Sequence, residues 1–336
     1  MRISVVVLSR NLEHYIMDAI NSIKAQSRQP DEIICCDDAS SDSTRTLIER
    51  HLPNARLIKH LENIGALKNG LSGLLSATGD IICFMDGDDV WQSNKIEAVE
   101  AAFLCNPTLA ILSHNHVRVD EVLTPLRVAD STHKAVKLAL SLPEPERSEV
   151  LRANLLNRRG YWLGSAYSIR TSMLDKAKFL NALNTAGDLQ DGYLDLILGP
   201  YIACNQPDGA VGYTPDTTLY YRVHKKGSAA STTIGGTRVA LRRVKRINEI
   251  TRHCLKSAGA SEEVLQSYTV HINIIDYYHD LYFGGRAVAF RKFFELWPIF
   301  SKMNFLSFIK EVVRFLVCFT MGIRGLLFFK GFIGRL

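Results

Sequence analysis

The first 120 residues alternate between short apolar runs and longer segments with helical spacing. Five runs rich in β-branched residues are predicted to be strands, at 3–8, 31–36, 55–60, 80–85 and 109–114. Because these runs are apolar almost throughout, we expect strands that are buried on both faces, as in a parallel sheet. Between them apolar residues recur every three or four positions, as at Ile16, Ile20 and Ile23. This alternation predicts an α/β fold with βαβ units and a mostly parallel central sheet flanked by helices.

Acidic residues follow two of the predicted strands. Asp37 and Asp38 come directly after the second strand, and the segment Asp86-Gly87-Asp88-Asp89 comes directly after the fourth. Ligands of open parallel sheets bind at the carboxyl ends of the strands. Carboxylates this close repel one another, and a cation nearby would remove the repulsion. The sequence therefore predicts a cation site at this edge of the sheet.

The segment 38–49 also has the ligand spacing of a calcium-binding EF-hand loop. The sixth position is Ser43 rather than Gly, and a strand precedes the segment where an EF-hand needs a helix. We therefore interpret Ser41 or Asp42 as the cap of the next helix, and one of the two preceding acids as a ligand-binding residue.

Composition and charge limit the class of protein. The chain has 336 residues, of which 47% are hydrophobic and 22% charged, which is typical of a folded protein with a sizeable core. The net charge of +6 comes from residues 286–336, which hold nine Lys or Arg against two Glu. This distribution argues against a nucleic-acid-binding protein. Seven cysteines without a C-x-x-C pair, and an N-terminus unlike a signal peptide, predict reduced thiols on the cytoplasmic side.

Four motifs in order resemble the donor half of family 2 glycosyltransferases of the GT-A fold. They are ISVVVLSRN, DDASSDS, ENIGALKNG and FMDGDD, and the resemblance covers about residues 1–115 closely. It implies a Rossmann-like GT-A fold and an inverting transfer of a sugar from a nucleoside diphosphate sugar. The acceptor would be a hydroxyl of a glycan or a polyprenyl-linked molecule in cell-surface polysaccharide synthesis. The alternatives are a sugar nucleotidyltransferase, which would need a Gly-rich basic loop that LSRNLEHY lacks, and a catalytically silent nucleotide-binding scaffold.

The resemblance implies three regions. Residues 1–115 would form the nucleotide-sugar-binding half of the GT-A domain, and residues 116–235 would form the acceptor-binding half. Residues 236–336 would form a C-terminal helical, basic and amphipathic region.

The resemblance also assigns roles on the donor side. Asp88 and His224 would bind Mn²⁺ or Mg²⁺, while Asp86 would contact the ribose or a metal-bound water and Gly87 would let the diphosphate approach. Asp38 would accept the imino N–H of uracil. The remaining nucleotide-binding residues are Ser9, Arg10, Asn11, Asn63, Gly65, Lys68 and Asn69. A plain turn is the alternative for Asn63 and Gly65, and Asp89 would either support the metal ligands or cap the next helix.

One position departs from the family pattern. Arg10 stands where the family has a Tyr that stacks on the base, although a guanidinium can also lie flat on a base. Uridine is favoured as the nucleoside, and thymidine stays an alternative.

The acceptor side needs a carboxylate that takes the proton of the attacking hydroxyl. The resemblance favours Asp191 in the segment DLQDGYLDLILG as this base, with Asp188 and Asp195 as rivals and a structural cap as a further alternative. The predicted acceptor-binding residues are Trp162, Gly164, Ser165 and Gln190, where Trp162 could equally be a core residue. Arg222, Lys225 and Lys226 would offset the charge of the diphosphate.

The C-terminal region is predicted to be helical at 238–259 and 264–285, without an apolar run long enough to cross a bilayer. Beyond these helices, Lys310, Arg314 and Arg324 fall on one side of a helical projection. Large apolar residues fall on its other faces, namely Phe315, Leu316, Phe319 and Ile323. This pattern predicts a helix lying on an anionic membrane surface, with the protein peripheral or monotopic at the cytoplasmic face of the cell membrane. The alternative is a helix pair that docks on a core or forms a homo-oligomer.

Overall fold

The computed structural model describes residues 1–126, 133–157, 164–190, 192–207, 209–224, 234–303 and 307–320. Within these ranges the chain divides into two compact units. Unit 1 comprises residues 1–230 and 250–265, and unit 2 comprises residues 231–249 and 266–336. No helix among the described residues combines the length and the apolar character that a membrane span requires.

The strands are β1 (Ile3–Ser9), β2 (Glu32–Asp37), β3 (Arg56–Lys59), β4 (Ile81–Asp86), β5 (Val90–Trp91), β6 (Ile111–Val119), β7 (Ser168–Arg170) and β8 (Val211–Arg222). The helices of unit 1 and its neighbouring segments are α1 (Ile16–Lys24), α2 (Thr44–His51), α3 (Ala66–Ser76), α4 (Lys95–Cys105), α5 (His133–Leu140), α6 (Glu146–Leu156), α7 (Lys176–Thr185) and α8 (Leu194–Asn205). They are followed by α9 (Ile234–Ser257), α10 (Glu262–Phe283), α11 (Arg286–Glu295), α12 (Trp297–Phe300) and a helix at residues 307–320.

All eight strands form one sheet in the order β3-β2-β1-β4-β7-β6-β8-β5. The pairs β1–β2, β1–β4, β2–β3 and β6–β8 are parallel, whereas β7 is antiparallel to β4 and β6. The five predicted strands are confirmed as β1 to β4 and β6. The predicted boundary between residues 115 and 116 falls inside β6, so the two predicted halves share one sheet.

The core of unit 1 forms because apolar strands are sandwiched by helices whose apolar faces match the predicted spacing. Ile16, Ile20 and Ile23 of α1 are each at most 1% exposed and pack against the strand residues Val5 and Val7. Helix α3 covers the other face of the sheet, where a Cβ on Gly73 would approach Val6 Cγ1 to 2.3 Å. This close helix-to-strand approach needs a glycine and fixes the position of α3 over β1.

Unit 2 has a separate aromatic core. Tyr277, Phe293, Phe300 and Phe315 are buried there, and the rings of Phe293 and Phe315 stack at 4.2 Å. Phe315 is therefore a core residue, and its predicted place on a membrane-facing surface is wrong. The helical period identified the helix at 307–320 but could not tell a protein core from a lipid surface, because both select the same apolar residues. Ile323 and Arg324 lie outside the described residues.

Candidate active site

The site lies where three parallel strands end together. In the sheet Ser9 is paired with Asp37, and Leu8 is paired with Asp86, so the ends of β1, β2 and β4 are in register. Asp38 and the segment 86–89 therefore leave the sheet at the same edge. We call the segment 86–89 the acid loop. This is the edge at which the sequence predicted a cation site.

The acid loop turns sharply after β4. The Gly87 amide donates to the Leu8 carbonyl at 2.8 Å, and the Asp89 amide donates to the Asp86 carbonyl at 3.1 Å. A Cβ on Gly87 would lie 2.9 to 3.0 Å from the side chains of Leu12 and Ile16 and from the Leu8 carbonyl oxygen. Packing against the start of α1 thus accounts for the glycine, and its predicted contact with a diphosphate stays a prediction.

Asp89 fixes the loop from inside the protein. Its carboxylate is fully buried and accepts hydrogen bonds from the Ser165 hydroxyl at 2.5 Å and the Arg222 amide at 2.9 Å. Ser165 also accepts a hydrogen bond from the Asp86 amide at 2.8 Å. Helix α4 is preceded by Asn94 as its N-cap residue, so Asp89 supports the loop and does not cap that helix.

Ser165 and Gly164, both predicted to bind the acceptor, lie in a short 3-10 turn at Gly164–Ala166. Ser165 is fully buried, and the Gly164 amide donates to the Asp195 carboxylate at 3.1 Å. The turn is held by the Trp91 indole, which donates to the Ser165 carbonyl at 3.1 Å. Ser165 therefore connects this turn to the acid loop, a role that the sequence did not indicate, and its contact with an acceptor stays a prediction.

Asp88 lies beside His224, as the predicted metal-binding pair requires. His224 Nε2 is 2.9 Å from Asp88 Oδ2, and the imidazole is only 6% exposed. Its other ring nitrogen, Nδ1, is buried and has no hydrogen-bond partner among the described residues. The Tyr15 ring packs on the imidazole with 4.6 Å between centroids. Tyr15 was not predicted, because the contact joins residues that are distant in sequence and follows no local pattern.

Arg222 is oriented away from solvent. Its Nε donates to the Asp88 carbonyl at 2.7 Å, one terminal nitrogen donates to Asp18 at 2.6 Å, and the other donates to the Glu121 carbonyl. The guanidinium also lies 4.8 Å from the centroid of the Tyr15 ring. Three of its donors are therefore used within the protein, and its predicted role in offsetting diphosphate charge stays a prediction. Lys225 and Lys226 lie outside the described residues.

The carboxyl groups of Asp86 and Asp89 lie where ionisation is unfavourable. Burial, followed by the neighbouring charges of Asp88 and Asp195, raises the pKa of Asp86 to about 8. Burial and the carboxylates of Asp88 and Asp86 also raise the pKa of Asp89 well above its usual range. Both shifts mean that ionised carboxylates are disfavoured here. A cation bound at Asp88 would reverse that preference.

The donor atoms at this point are suitable for a hard divalent cation. A carboxylate and an imidazole supply two ligands, and Mg²⁺ and Mn²⁺ ordinarily take further oxygens from water and phosphate. Within the described part of the chain, no cluster of three or more His, Cys, Asp or Glu side chains has the arrangement of a metal site. Asp88 and His224 thus fit a cation that takes its further ligands from water or a bound phosphate.

The residues after β2 organise the neighbouring part of the site. The Asp38 carboxylate is 3% exposed and accepts from the amides of Ile64 and Gly65 at 2.7 and 3.1 Å. Asp37 instead pairs with Arg45 and accepts from the Ser40 amide at 2.9 Å. The two adjacent acids therefore have different roles, one at an internal ion pair and one at the predicted nucleotide segment. A carboxylate has about four lone-pair positions, so Asp38 retains capacity for a further donor.

The start of α3 lies next to Asp38 and forms the neighbouring part of the site. Gly65 has a φ of +88°, and a Cβ there would lie 2.5 Å from the Gln190 carbonyl oxygen. Asn63 accepts from the Gly65 amide at 3.2 Å. Asn69 is buried and donates to the Cys36 carbonyl at 3.0 Å, so it links α3 to β2, whereas Lys68 is exposed. Local structure thus accounts for Asn63, Gly65 and Asn69, and their contacts with a nucleotide stay predictions.

The loop after β1 contributes the exposed side chain of Arg10. Ser9 is 3% exposed and its hydroxyl lies 3.4 Å from the Cys36 carbonyl and the Asp37 carboxylate. Asn11 has a φ of 53° and accepts from the Ser41 amide at 2.8 Å, which joins the loops after β1 and β2. Arg10 is exposed between them.

Two predicted residues, Asp191 and Trp162, lie outside the described residues. The backbone on either side of position 191 contacts α3, since a Cβ on Gly192 would lie 2.5 Å from Leu67 Cδ2. Of the rival bases, Asp188 is exposed and accepts from the Gln190 amide at 3.0 Å. Asp195 is half-buried, and its charge reaches Asp86, whose pKa it raises.

Comparisons with known proteins agree with this geometry. Residues 4–159 match the family model described as glycosyl transferase family 2. An uncharacterised glycosyltransferase from Nostoc sp. is 25% identical over 313 residues, which cover 90% of each chain. The Escherichia coli UDP-Glc:alpha-D-GlcNAc-diphosphoundecaprenol beta-1,3-glucosyltransferase WfgD is 34% identical over 105 residues, which cover 31% of this chain and 42% of that enzyme.

A solved structure shows the same fold. The crystal structure of S. aureus TarS residues 1–349 in complex with UDP superposes with a TM-score of 0.50 at 18% identity, covering 82% of each chain. The motifs, the sheet and the family match agree with one another. The protein is therefore a glycosyltransferase with a GT-A fold, and its residues 4–159 match glycosyl transferase family 2.

Proposed function

We propose that the protein is an inverting glycosyltransferase that uses a nucleoside diphosphate sugar, with UDP-sugar favoured, as its donor. The observation that carries this proposal is the Asp88–His224 pair at 2.9 Å beside two carboxylates of raised pKa. Such an arrangement is suited to a cation that is shared with a diphosphate.

Asp88 and His224 would hold Mn²⁺ or Mg²⁺. When bound, such an ion supplies Lewis-acid stabilisation of the negative charge on the departing diphosphate. The protein contributes the position of both ligands: Ser165 and Asp89 fix the acid loop, while Tyr15 and the end of β8 fix the imidazole. Ligands held in this way need little rearrangement on binding.

The nucleoside would bind along the ends of β1 and β2. Asp38 would accept the imino N–H of uracil, and the exposed Arg10 guanidinium would lie on the base. The assignment of uridine is supported by the partial sequence similarity to a UDP-Glc-dependent enzyme.

Asp191 would act as the general base in a single displacement. It would remove the proton of the acceptor hydroxyl while that oxygen attacks the anomeric carbon, and the bond from this carbon to the diphosphate would break with its electron pair going to the diphosphate. A positioned base typically contributes ~10²–10⁴ to the rate.

The acceptor would be a hydroxyl of a glycan or polyprenyl-linked molecule in cell-surface polysaccharide synthesis. The E. coli relative named above acts on a diphosphoundecaprenol-linked sugar, which supports this class of acceptor. A lipid-linked acceptor requires access to a membrane surface. We therefore place the protein at the cytoplasmic face of the membrane as a peripheral protein, in accord with its basic C-terminal region.

Two measurements test the proposal. Calorimetry across a panel of nucleoside diphosphate sugars, with and without Mn²⁺, should give binding to a UDP-sugar that strengthens when Mn²⁺ is present. Incubation with labelled donor and bacterial-type lipid extract should give labelled lipid. Pyrophosphate release would instead indicate a nucleotidyltransferase, and binding without turnover would indicate a silent scaffold.

Substitution at position 191 tests the base. Asp191→Asn should keep donor affinity and lose transfer by at least about 10²-fold. Asp188→Asn is the matched control, because this exposed acid lies three residues away and should retain activity. Full transfer activity in purified Asp191→Asn would refute the assignment of Asp191 as the base. A loss of transfer with retained donor affinity in Asp195→Asn would instead identify Asp195 as the base.

A further inference from the structure

Unit 2 exposes a strip of aromatic side chains on its outer surface. Phe290 and Phe294 of α11 are 47% and 52% exposed, and Trp297 at the start of α12 is 40% exposed. Their spacing of four and three residues places them on one face of the helical segment. The ring centroids of Phe290 and Phe294 are 4.9 Å apart, and those of Phe294 and Trp297 are 6.2 Å apart. We call these three residues the aromatic strip.

The residues of the aromatic strip contact the packed aromatic core of unit 2. The Phe293 ring, between the strip residues in sequence, is 3% exposed and stacks on Phe315. Phe290 also contacts Phe319 at 6.0 Å between ring centroids, and Trp297 contacts Phe308 at 5.2 Å. The core is therefore already filled, and the exposed aromatic surface is additional to it.

Unit 2 is strongly basic around this surface. Its described residues carry eleven Lys or Arg against five Asp or Glu, a net charge of +6. Lys292 pairs with Asp280, and Arg314 pairs with Glu311 in a half-buried contact. In contrast, Arg286 and Arg291 of α11 are exposed on the same helix as the strip, and Arg291 has only a 3.5 Å exposed pair with Glu295.

We propose that the aromatic strip inserts into an anionic lipid bilayer, with the surrounding basic side chains contacting lipid headgroups. Aromatic rings are favourable at the boundary between headgroups and acyl chains, and each basic residue near an anionic surface adds attraction. The inference rests on the peripheral membrane location in the proposed function. It moves the contact from the 310–324 helix face predicted from sequence to α11 and α12.

The charge argues for lipid over a second copy of this chain. Two copies that met through this surface would bring together two units of charge +6, which costs energy through like-charge repulsion. A stable protein interface also buries roughly 800 Å² on each partner. Three aromatic side chains of about 200 Å² each, exposed by about half, supply only a fraction of that area.

Vesicle sedimentation tests the proposal with the full-length protein. Vesicles containing roughly one third anionic phospholipid should bind the wild type, and purely zwitterionic vesicles should bind it at least several-fold more weakly. The double substitution Phe290→Ser and Phe294→Ser should lower partitioning by roughly tenfold or more, because it removes most of the insertable apolar surface. The conservative pair Phe290→Leu and Phe294→Leu should stay within about threefold of wild type.

Controls separate this result from loss of structure or of donor binding. Leu104→Ser removes a 63% exposed apolar side chain from α4 in unit 1 and should leave vesicle binding unchanged. Calorimetric UDP affinity should be the same in all of these variants. A loss of vesicle binding with normal UDP affinity supports the strip, while an absence of UDP binding by the wild type would count against the proposed function.

Brominated lipids give an independent test. They should quench part of the tryptophan fluorescence of the wild type, and Trp297→Phe should remove that quenched component. The proposal is overturned if the double Ser variant binds anionic vesicles as the wild type does, or if Trp297→Phe leaves lipid quenching unchanged.

Discussion

Replacing Ser165 by Ala should weaken both the fold and the metal-binding loop. The hydroxyl donates to the Asp89 carboxylate at 2.5 Å and accepts from the Asp86 amide at 2.8 Å, and the residue is fully buried. Alanine would leave two buried polar groups short of a partner. Each such group costs ~1–3 kcal/mol, so we expect a destabilisation of about 2–6 kcal/mol. That is a large part of the stability of a typical domain, which is ~5–15 kcal/mol.

Ser168 provides the matched control. It is also fully buried, lies three residues further along the chain, and its hydroxyl donates to the Cys83 sulfur at 3.2 Å. Sulfur is a weak acceptor, so Ser168→Ala should cost less than about 1 kcal/mol. The comparison therefore separates the loss of a buried hydroxyl in general from the loss of the link to the acid loop.

Two assays are needed, because Ser165 is proposed to position other residues. Urea denaturation should show the difference in unfolding free energy between the two variants. Calorimetry of UDP with Mn²⁺ should show a lower affinity for Ser165→Ala and an unchanged affinity for Ser168→Ala. The reasoning fails if the two variants lose the same stability, or if Ser165→Ala is less stable yet binds Mn²⁺ and UDP as the wild type does.

Three further predictions concern the metal pair and a buried lysine. Asp88→Asn and His224→Ala should each abolish most of the Mn²⁺-dependent gain in UDP affinity, and calorimetry showing an unchanged gain would exclude that residue as a ligand. Tyr15→Ala should weaken Mn²⁺ binding by roughly tenfold because the ring supports the imidazole, and Tyr15→Phe should restore it; equal affinities would refute the support. Lys95 is fully buried beside His114, and burial lowers its pKa from 10.5 to about 7. Between these values the unfolded chain binds more protons, so the unfolding free energy should rise by up to ~1.4 kcal/mol per pH unit from pH 7 upward. Lys95→Met should remove that rise in urea titrations, and a parallel slope in both proteins would show that Lys95 does not cause it.

The sequence predicted the donor half of the sheet well because its signals are local. Strands β1 to β4 are continuous apolar runs, and the residues that follow them are polar, so both the strands and the strand ends can be read from composition. The predicted apolar spacing of α1 is also confirmed by burial of Ile16, Ile20 and Ile23. A parallel sheet then brings the strand ends together without further information.

The internal supports of the site could not be predicted, because they join residues far apart in the chain. Asp89 contacts Ser165 and Arg222, which lie 76 and 133 residues away. Neither contact leaves a local pattern of spacing or composition. The same limit applies to Arg222, whose type suggested a contact with diphosphate although its guanidinium is used inside the protein. Residue type indicates what a side chain can do, and only the fold determines which partner it has.

The position of Arg222 explains why it does not lower the pKa values of Asp86 and Asp89. A guanidinium beside three carboxylates would ordinarily lower their pKa values, yet those of Asp86 and Asp89 are raised. Arg222 contacts the acid loop through the Asp88 carbonyl oxygen, and its charge is paired with Asp18 at 2.6 Å. It therefore holds the loop in place without neutralising the carboxylates. Asp89 is likewise held by a hydroxyl and a backbone amide, both uncharged. Since these supports fix the geometry without stabilising the ionised carboxylates, a divalent cation bound at Asp88 would supply the charge that favours their ionised form.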